Sequence, residues 1–286
     1  MTTTMPTDFE TRPVTVIGGG TLGRRVALMF AARGGEVRIV DAAEEAAAEA
    51  VAYVERELPA LVGAIDGGAV GRAAAFSDLP SAVAGAWLVV EAVPERRELK
   101  SEIFGRLDRY ADHDAILATN SSSYPSSALI SGVERPERVV NLHFFMPPQQ
   151  RAAEIMSCGK TDAEVLAFLS SVLPHFGIRP FVAKTESMGF IFNRVWAAIK
   201  REALQVVASG VATPEEFDDL WRLNTGLPIG VFQGMDRVGL DVALDIEESY
   251  AAKYPELPSA PRELLREYVQ AGRLGVKTGR GFYTYS

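Results

Sequence analysis

The sequence is short of the residues that build several kinds of site. It has one cysteine, Cys158, which excludes an internal disulfide and a cysteine-built metal cluster. Its three histidines, His113, His143 and His175, share no metal-ligand spacing, so no metal is expected. No apolar run approaches the ~20 residues needed to cross a bilayer. The opening MTTTMPTDFETRP lacks the basic-then-apolar order of a secretory signal. Positive charge is in deficit, with 29 Lys and Arg against 37 Asp and Glu, for a net charge of -8. That balance gives no general attraction for nucleic acid or acidic membranes. Internal repeats and low-complexity linkers are absent. What is present is ordinary for a cytoplasmic globular protein: 286 residues, 48% hydrophobic and 23% charged, enough for one large or two ordinary domains.

The most informative stretch is VTVIGGGTLGRRVALMFAARGGEVRIVD, from Val14 to Asp41. A short apolar run, Val14 to Ile17, suits a buried parallel strand. Gly18, Gly20 and Gly23 follow in G-x-G-x-x-G spacing and open an amphipathic helix to about Arg33. In that arrangement Gly18 allows the tight turn, Gly20 admits a pyrophosphate close to the backbone, and Gly23 lets helix pack on strand. The N–H groups at the helix start, around Thr21 and Leu22, face the phosphates together with the positive end of the helix dipole. A second run, Val37 to Val40, ends on Asp41, where a carboxylate accepts hydrogen bonds from both ribose hydroxyls. The acid repels a 2′-phosphate, and no arginine directly follows it, which points to NAD over NADP. The bland alternative is a glycine-rich turn in some other α/β protein.

Further on, strand-like runs alternate with helical stretches. Residues 43–72, rich in alanine and glutamate, read as a helical excursion. Strands are expected at Trp87–Val93, Ala115–Thr119, Val139–Phe145, Ala153–Met156 and Arg179–Val182, with a helix over Leu99–Tyr110. From Gly189 strand candidates nearly vanish. FIFNRVWAAIKREALQVVASG has a long helical period, and Thr213 and Pro214 read as N-cap and first helical residue. Two more helices are expected near Val242–Lys253 and Pro261–Ala271. The pattern predicts an α/β Rossmann-like doubly wound sheet over residues 1–185, followed by an all-α domain over residues 186–286.

Several side chains are placed for chemistry. His143, in NLHFFMPPQ, ends an apolar strand on the edge where a cofactor binds. It is either a packing histidine among aromatics or an acid/base. Glu154, in the run AAEIM, returns as an adjacent strand and can orient and charge-balance the imidazole, or it is an edge-strand charge. The polar run Thr119–Ser123 ends another strand on the same rim and either orients a substrate oxygen or is a plain turn. Glu95 and Lys100, in EAVPERRELK, either flank a nicotinamide ribose or are ordinary helix-start charges. Asn193, in GFIFNR, sits where an apolar helix begins, so its amide needs partners.

The ordered blocks EAVPERRELKSEIF, ATNSSS, NLHFFMP, GFIFNR, NTGLPIGVFQGMDRVGLD and GVKTGRGFYTY, together with the glycine fingerprint, resemble the 3-hydroxyacyl-CoA dehydrogenase family, including its lambda-crystallin and diketoreductase-like relatives. The resemblance runs from Val14 to the C-terminus. It implies an NAD-dependent enzyme that interconverts a 3-hydroxyacyl thioester and its 3-oxo form, and a homodimer formed through the helical half. By that resemblance His143 is the acid/base and Glu154 its orienting carboxylate. Ser122 and Asn193 hold the reacting oxygen. Gly18, Gly20, Thr21, Leu22, Gly23, Asp41, Glu95 and Lys100 hold the cofactor. Two departures stand out. Met146 occupies a position where the family commonly has asparagine, and a thioether donates no strong hydrogen bond. Only Arg56 and Arg72 are basic between residues 42 and 75, where family members hold CoA phosphates. The rival expectations are a reductase of free or carrier-bound 3-oxo or 3,5-diketo compounds, and a non-catalytic NAD-binding structural protein. A methyltransferase is disfavoured because it leaves Asp41 and the later blocks without a role.

Overall fold

A computed structural model describes residues 4–285, which form two compact units divided between Ile191 and Phe192. In the first, the elements run β1 (Val14–Ile17), α1 (Thr21–Ala31), β2 (Glu36–Val40), α2 (Glu44–Val62), β3 (Arg72–Phe76), α3 (Leu79–Val83), β4 (Leu88–Glu91), α4 (Arg97–Tyr110), β5 (Ile116–Thr119), β6 (Val139–Phe144), β7 (Ala152–Ser157), α5 (Ala163–Val172) and β8 (Arg179–Ala183). The strands make one sheet in the order β3-β2-β1-β4-β5-β6-β7-β8. All neighbours are parallel except β6 and β7. The order reverses between β1 and β4, which opens a crevice at the C-terminal strand ends.

The central strands are apolar on both faces because helices cover both. Val16, Val90, Ile116 and Leu142 pack in one core with α1 and α2, while Val89, Leu117 and Val139 pack in a second with α4. The expected 43–72 excursion is two things. The helix stops at Val62, where the turns of GAIDGG, residues 63–68, break it, and Arg72 then starts the edge strand β3. β3 reads RAAAF, and alanine has so little strand preference that nothing in its pattern announced a strand. α5 lies between β7 and β8, a stretch for which the sequence pattern predicts no helix.

The second unit contains α6 (Phe192–Ala208), α7 (Pro214–Thr225), α8 (Val231–Val238), α9 (Leu240–Lys253) and α10 (Ala260–Gln270), with no named strand among its described residues. α7 begins with a capping box, Thr213 accepting from Glu216 N–H while Glu216 accepts from Thr213 N–H. Its core joins Leu204, Phe232, Met235, Leu240, Leu265 and Phe282. The C-terminal segment is tied down by buried Asp236, which accepts from Phe282 N–H at 3.0 Å and Tyr283 N–H at 2.9 Å. The short α8, interrupted by Gly234, had no recognisable period in the sequence.

Candidate active site

The turn after β1 is shaped by close backbone approach. Gly18 has φ +106°, and a Cβ there would stand 2.6 Å from the Ala92 carbonyl oxygen. A Cβ on Gly23 would stand 1.8 Å from the Gly18 oxygen. Around Gly20 there is open space instead, and no side chain caps the start of α1. The first-turn N–H groups of Thr21, Leu22 and Gly23 therefore present an uncapped helix N-terminus beside that space. Asp41, just beyond β2, ties the turn together: its Oδ2 accepts from Gly19 N–H at 2.7 Å and its Oδ1 from Ala43 N–H at 3.0 Å. Each carboxylate oxygen keeps a second lone pair for a ribose hydroxyl. An anionic dinucleotide fits this cradle.

The next strand end carries a group that sequence reasoning missed. Glu91, the last residue of β4, is fully buried. Its carboxylate accepts from Lys100 Nζ at 2.7 Å, Thr119 Oγ1 at 2.7 Å and Val93 N–H at 2.8 Å. Lys100, also buried, reaches the Val93 carbonyl at 3.1 Å and Glu95 at 3.2 Å. Glu95 is partly exposed and accepts from the Ser121 hydroxyl and, at 3.0 Å, from Ser123 N–H. One ionic network thus fastens the loop that displays Ser122, whose side chain is exposed. The available signal was a carboxylate closing an apolar strand, LVVE, since a buried charge requires a partner.

His143 lies near the C-terminal end of β6, directly opposite Glu154 in the antiparallel register with β7. Its Nδ1 is 3.0 Å from Glu154 Oε2, and both residues are buried. A carboxylate at Nδ1 selects the tautomer protonated there and leaves Nε2 as the free position. The Phe190 ring stacks on the imidazole, with centroids 4.9 Å apart and planes 16° apart, and Phe145 lies at 5.2 Å. The other oxygen of Glu154 accepts from Ile191 N–H at 2.9 Å. Asn120, at the end of β5, accepts from Phe144 N–H at 2.9 Å and locks the two strand ends together. The loop after β6 is tied back to α1 through Arg25, which donates to the Pro147 carbonyl at 2.9 Å. Exposed Met146 stands in that loop. Asn193 lies at the start of α6 in the second unit and is half-buried.

A doubly wound parallel sheet with this glycine turn defines a dinucleotide-binding protein. The match to known proteins is more specific. Residues 13–186 match the NAD binding domain of 3-hydroxyacyl-CoA dehydrogenase, and residues 189–285 match that enzyme's C-terminal domain. The chain belongs to the 3-hydroxyacyl-CoA dehydrogenase family. It is 32% identical over 285 residues to the mitochondrial hydroxyacyl-coenzyme A dehydrogenase of Rattus norvegicus, covering 95% of this chain and 90% of that protein. A solved (S)-3-hydroxybutyryl-CoA dehydrogenase from Ralstonia eutropha superimposes with TM-score 0.86 at 30% identity, over 96% of this chain and 99% of the other. A solved diketoreductase, described as acting on dicarbonyl compounds, superimposes with TM-score 0.81 at 32% identity over the same shares.

Proposed function

We propose that this chain is an NAD-dependent oxidoreductase that interconverts a 3-hydroxyacyl thioester and its 3-oxo form by hydride transfer. The observation that carries this reading is the buried pair of His143 and Glu154, 3.0 Å apart at a strand end on the same edge as the glycine turn. NAD, when bound, supplies the hydride acceptor for oxidation and the donor for reduction. Gly18, Gly20, Thr21, Leu22, Gly23 and Asp41 hold it. Glu95 holds it as well; Lys100, expected to contact it too, is buried between Glu91 and Glu95 and acts through Glu95. The Nε2 atom of His143 takes the substrate's hydroxyl proton during oxidation and returns it during reduction. Glu154 holds the ring at Nδ1 and balances the imidazolium charge. Ser122 and Asn193 hold the reacting oxygen. Positioned acid–base assistance of this kind contributes ~10²–10⁴-fold. Residues 1–185 form the NAD-binding domain and residues 186–286 the substrate and dimerisation domain of a cytoplasmic homodimer. Exposed apolar side chains on the helical half, Leu220, Leu223 and Leu227 among them, support an apolar partner surface there.

A second reading is favoured by one observation. Residues 42–75 carry only two basic side chains, each in a surface ion pair with a neighbouring acid, Arg56 with Glu57 at 2.8 Å and Arg72 with Glu36 at 2.6 Å. CoA phosphates ordinarily need Arg or Lys. A reductase of free or carrier-bound 3-oxo or 3,5-diketo compounds is therefore the alternative. A purely structural NAD-binding role leaves the His143–Glu154 pair without a purpose. A panel of 3-oxo thioesters, esters and diketones, read by NADH absorbance, tests the proposal: turnover of 3-oxoacyl thioesters supports it, and their rejection removes it.

A further inference from the structure

Phe190 carries an unusual backbone and an unusual neighbour at once. Its φ is 56°, a left-handed conformation shared among described non-glycine residues only by Asp8. A bulky residue enters that region only where its surroundings impose it. Here the surroundings are specific. Phe190 N–H donates to the Ser187 carbonyl at 3.0 Å, and the Ser187 hydroxyl donates to the Phe190 carbonyl at 2.9 Å. Ser187 N–H is anchored in turn to the Met156 sulfur on β7 at 3.2 Å. The turn so fixed gives two successive residues two targets. The Phe190 ring, 2% exposed, lies flat on the His143 imidazole. The Ile191 N–H meets Glu154 Oε1.

A residue that merely fills the core has no need of a strained backbone. The imidazole, by contrast, needs what Phe190 offers. Rotation about its Cβ–Cγ bond is soft, and one hydrogen bond at Nδ1 leaves the ring free to tilt about that bond. An aromatic face against it removes the tilt and excludes water from that side. We propose that Phe190 is a positioning residue for the acid/base pair: it clamps the imidazole in the plane where Nδ1 meets Glu154 and Nε2 faces the substrate, and its left-handed turn delivers the Ile191 N–H to the second carboxylate oxygen. This deepens the acid/base reading of His143 and rests on it.

The test combines kinetics with ¹⁵N-histidine NMR of the full chain. There are three histidines, and the His143 signals are those missing from His143→Gln. In the wild type the His143 ring is protonated at Nδ1, and its carbon-bound protons are shifted upfield by the Phe190 ring current. Phe190→Leu loses the ring-current shift, mixes the tautomers and lowers kcat by roughly tenfold or more, as small misplacements of reacting groups do. KM for NADH stays within about twofold, because the interaction lost acts on the chemical step. Phe190→Tyr, which keeps the aromatic face, restores both kcat and the tautomer. A Phe190→Leu enzyme with normal kcat and a single unchanged tautomer overturns the clamp. If Phe190→Leu does not fold, a wild-type spectrum without the ring-current shift overturns it alone. A His143→Gln enzyme that keeps its turnover removes the acid/base reading and the clamp with it. An inactive His143→Gln beside a normal Phe190→Leu removes only the clamp.

Discussion

Asp41 has two tasks that pull on the same two oxygens. It anchors Gly19 and Ala43 through their N–H groups, and in the proposed function it also accepts from the cofactor ribose. A 2′-phosphate brings repulsion and displaces the hydroxyl it accepts from. We therefore expect NADH to be favoured over NADPH by at least about tenfold in kcat/KM, ~1.4 kcal/mol. Asp41→Ala narrows that ratio and also raises KM for NADH, since the glycine turn loses its tether. Equal use of both cofactors by the wild type contradicts the role. Buried Lys100 makes a different prediction. Lys100→Met strands the Glu91 carboxylate without its cation, at a cost of about 3–5 kcal/mol in chemical denaturation. A loss below about 1 kcal/mol, the scale of a surface pair, contradicts a fully buried pair. The glycine turn and Asp41 were legible in the sequence because close backbone approach and ribose binding each admit few residue types. Phe190 was not. GFIFNR reads as helical apolar spacing, and nothing in it reports a left-handed φ or a ring lying on His143.

At the scale of elements, the strands flanking the cofactor edge were legible because both faces are buried and the runs are continuous in apolar residues. Edge strand β3 and short helix α8 were not, being alanine-rich in one case and glycine-interrupted in the other. The opposition of His143 and Glu154 depends on an antiparallel register, which separation along the chain does not specify. The segment before β1 is held by a bidentate pair, Arg12 to Asp114 at 2.6 and 2.9 Å. The Arg12 hydrogen bond holds the Asp114 carboxyl below its usual range despite partial burial. The guanidinium is raised by the same bond. A carboxyl depressed in the folded state contributes stability above its unfolded pKa and loses that contribution as pH falls through the folded value. Between pH 6 and about pH 3 the Tm of the wild type should therefore fall further than that of Asp114→Asn. Equal slopes contradict the coupling.

For the whole molecule, the net charge of -8 and the engaged arginines of the α2–β3 flank bear on substrate choice. If CoA itself contributes little, kcat/KM for acetoacetyl-CoA and for its pantetheine analogue should lie within about tenfold of each other. An advantage of about a hundredfold or more for the CoA form, worth ~2.7 kcal/mol, requires phosphate contacts and contradicts that expectation. The proposed chemistry does not depend on the choice of thioester: a 3-oxoacyl group is reduced, and His143 handles the proton. The most direct measurement is the NADH-consumption rate with acetoacetyl-CoA and with acetoacetyl-pantetheine, for wild type and His143→Gln at matched NADH occupancy. We expect turnover by the wild type and a kcat lower by several hundredfold for His143→Gln, within the ~10²–10⁴ range of positioned acid–base catalysis, with NADH binding near normal. A wild type inactive on both thioesters, or a His143→Gln enzyme that keeps most of its turnover, contradicts the proposed chemistry.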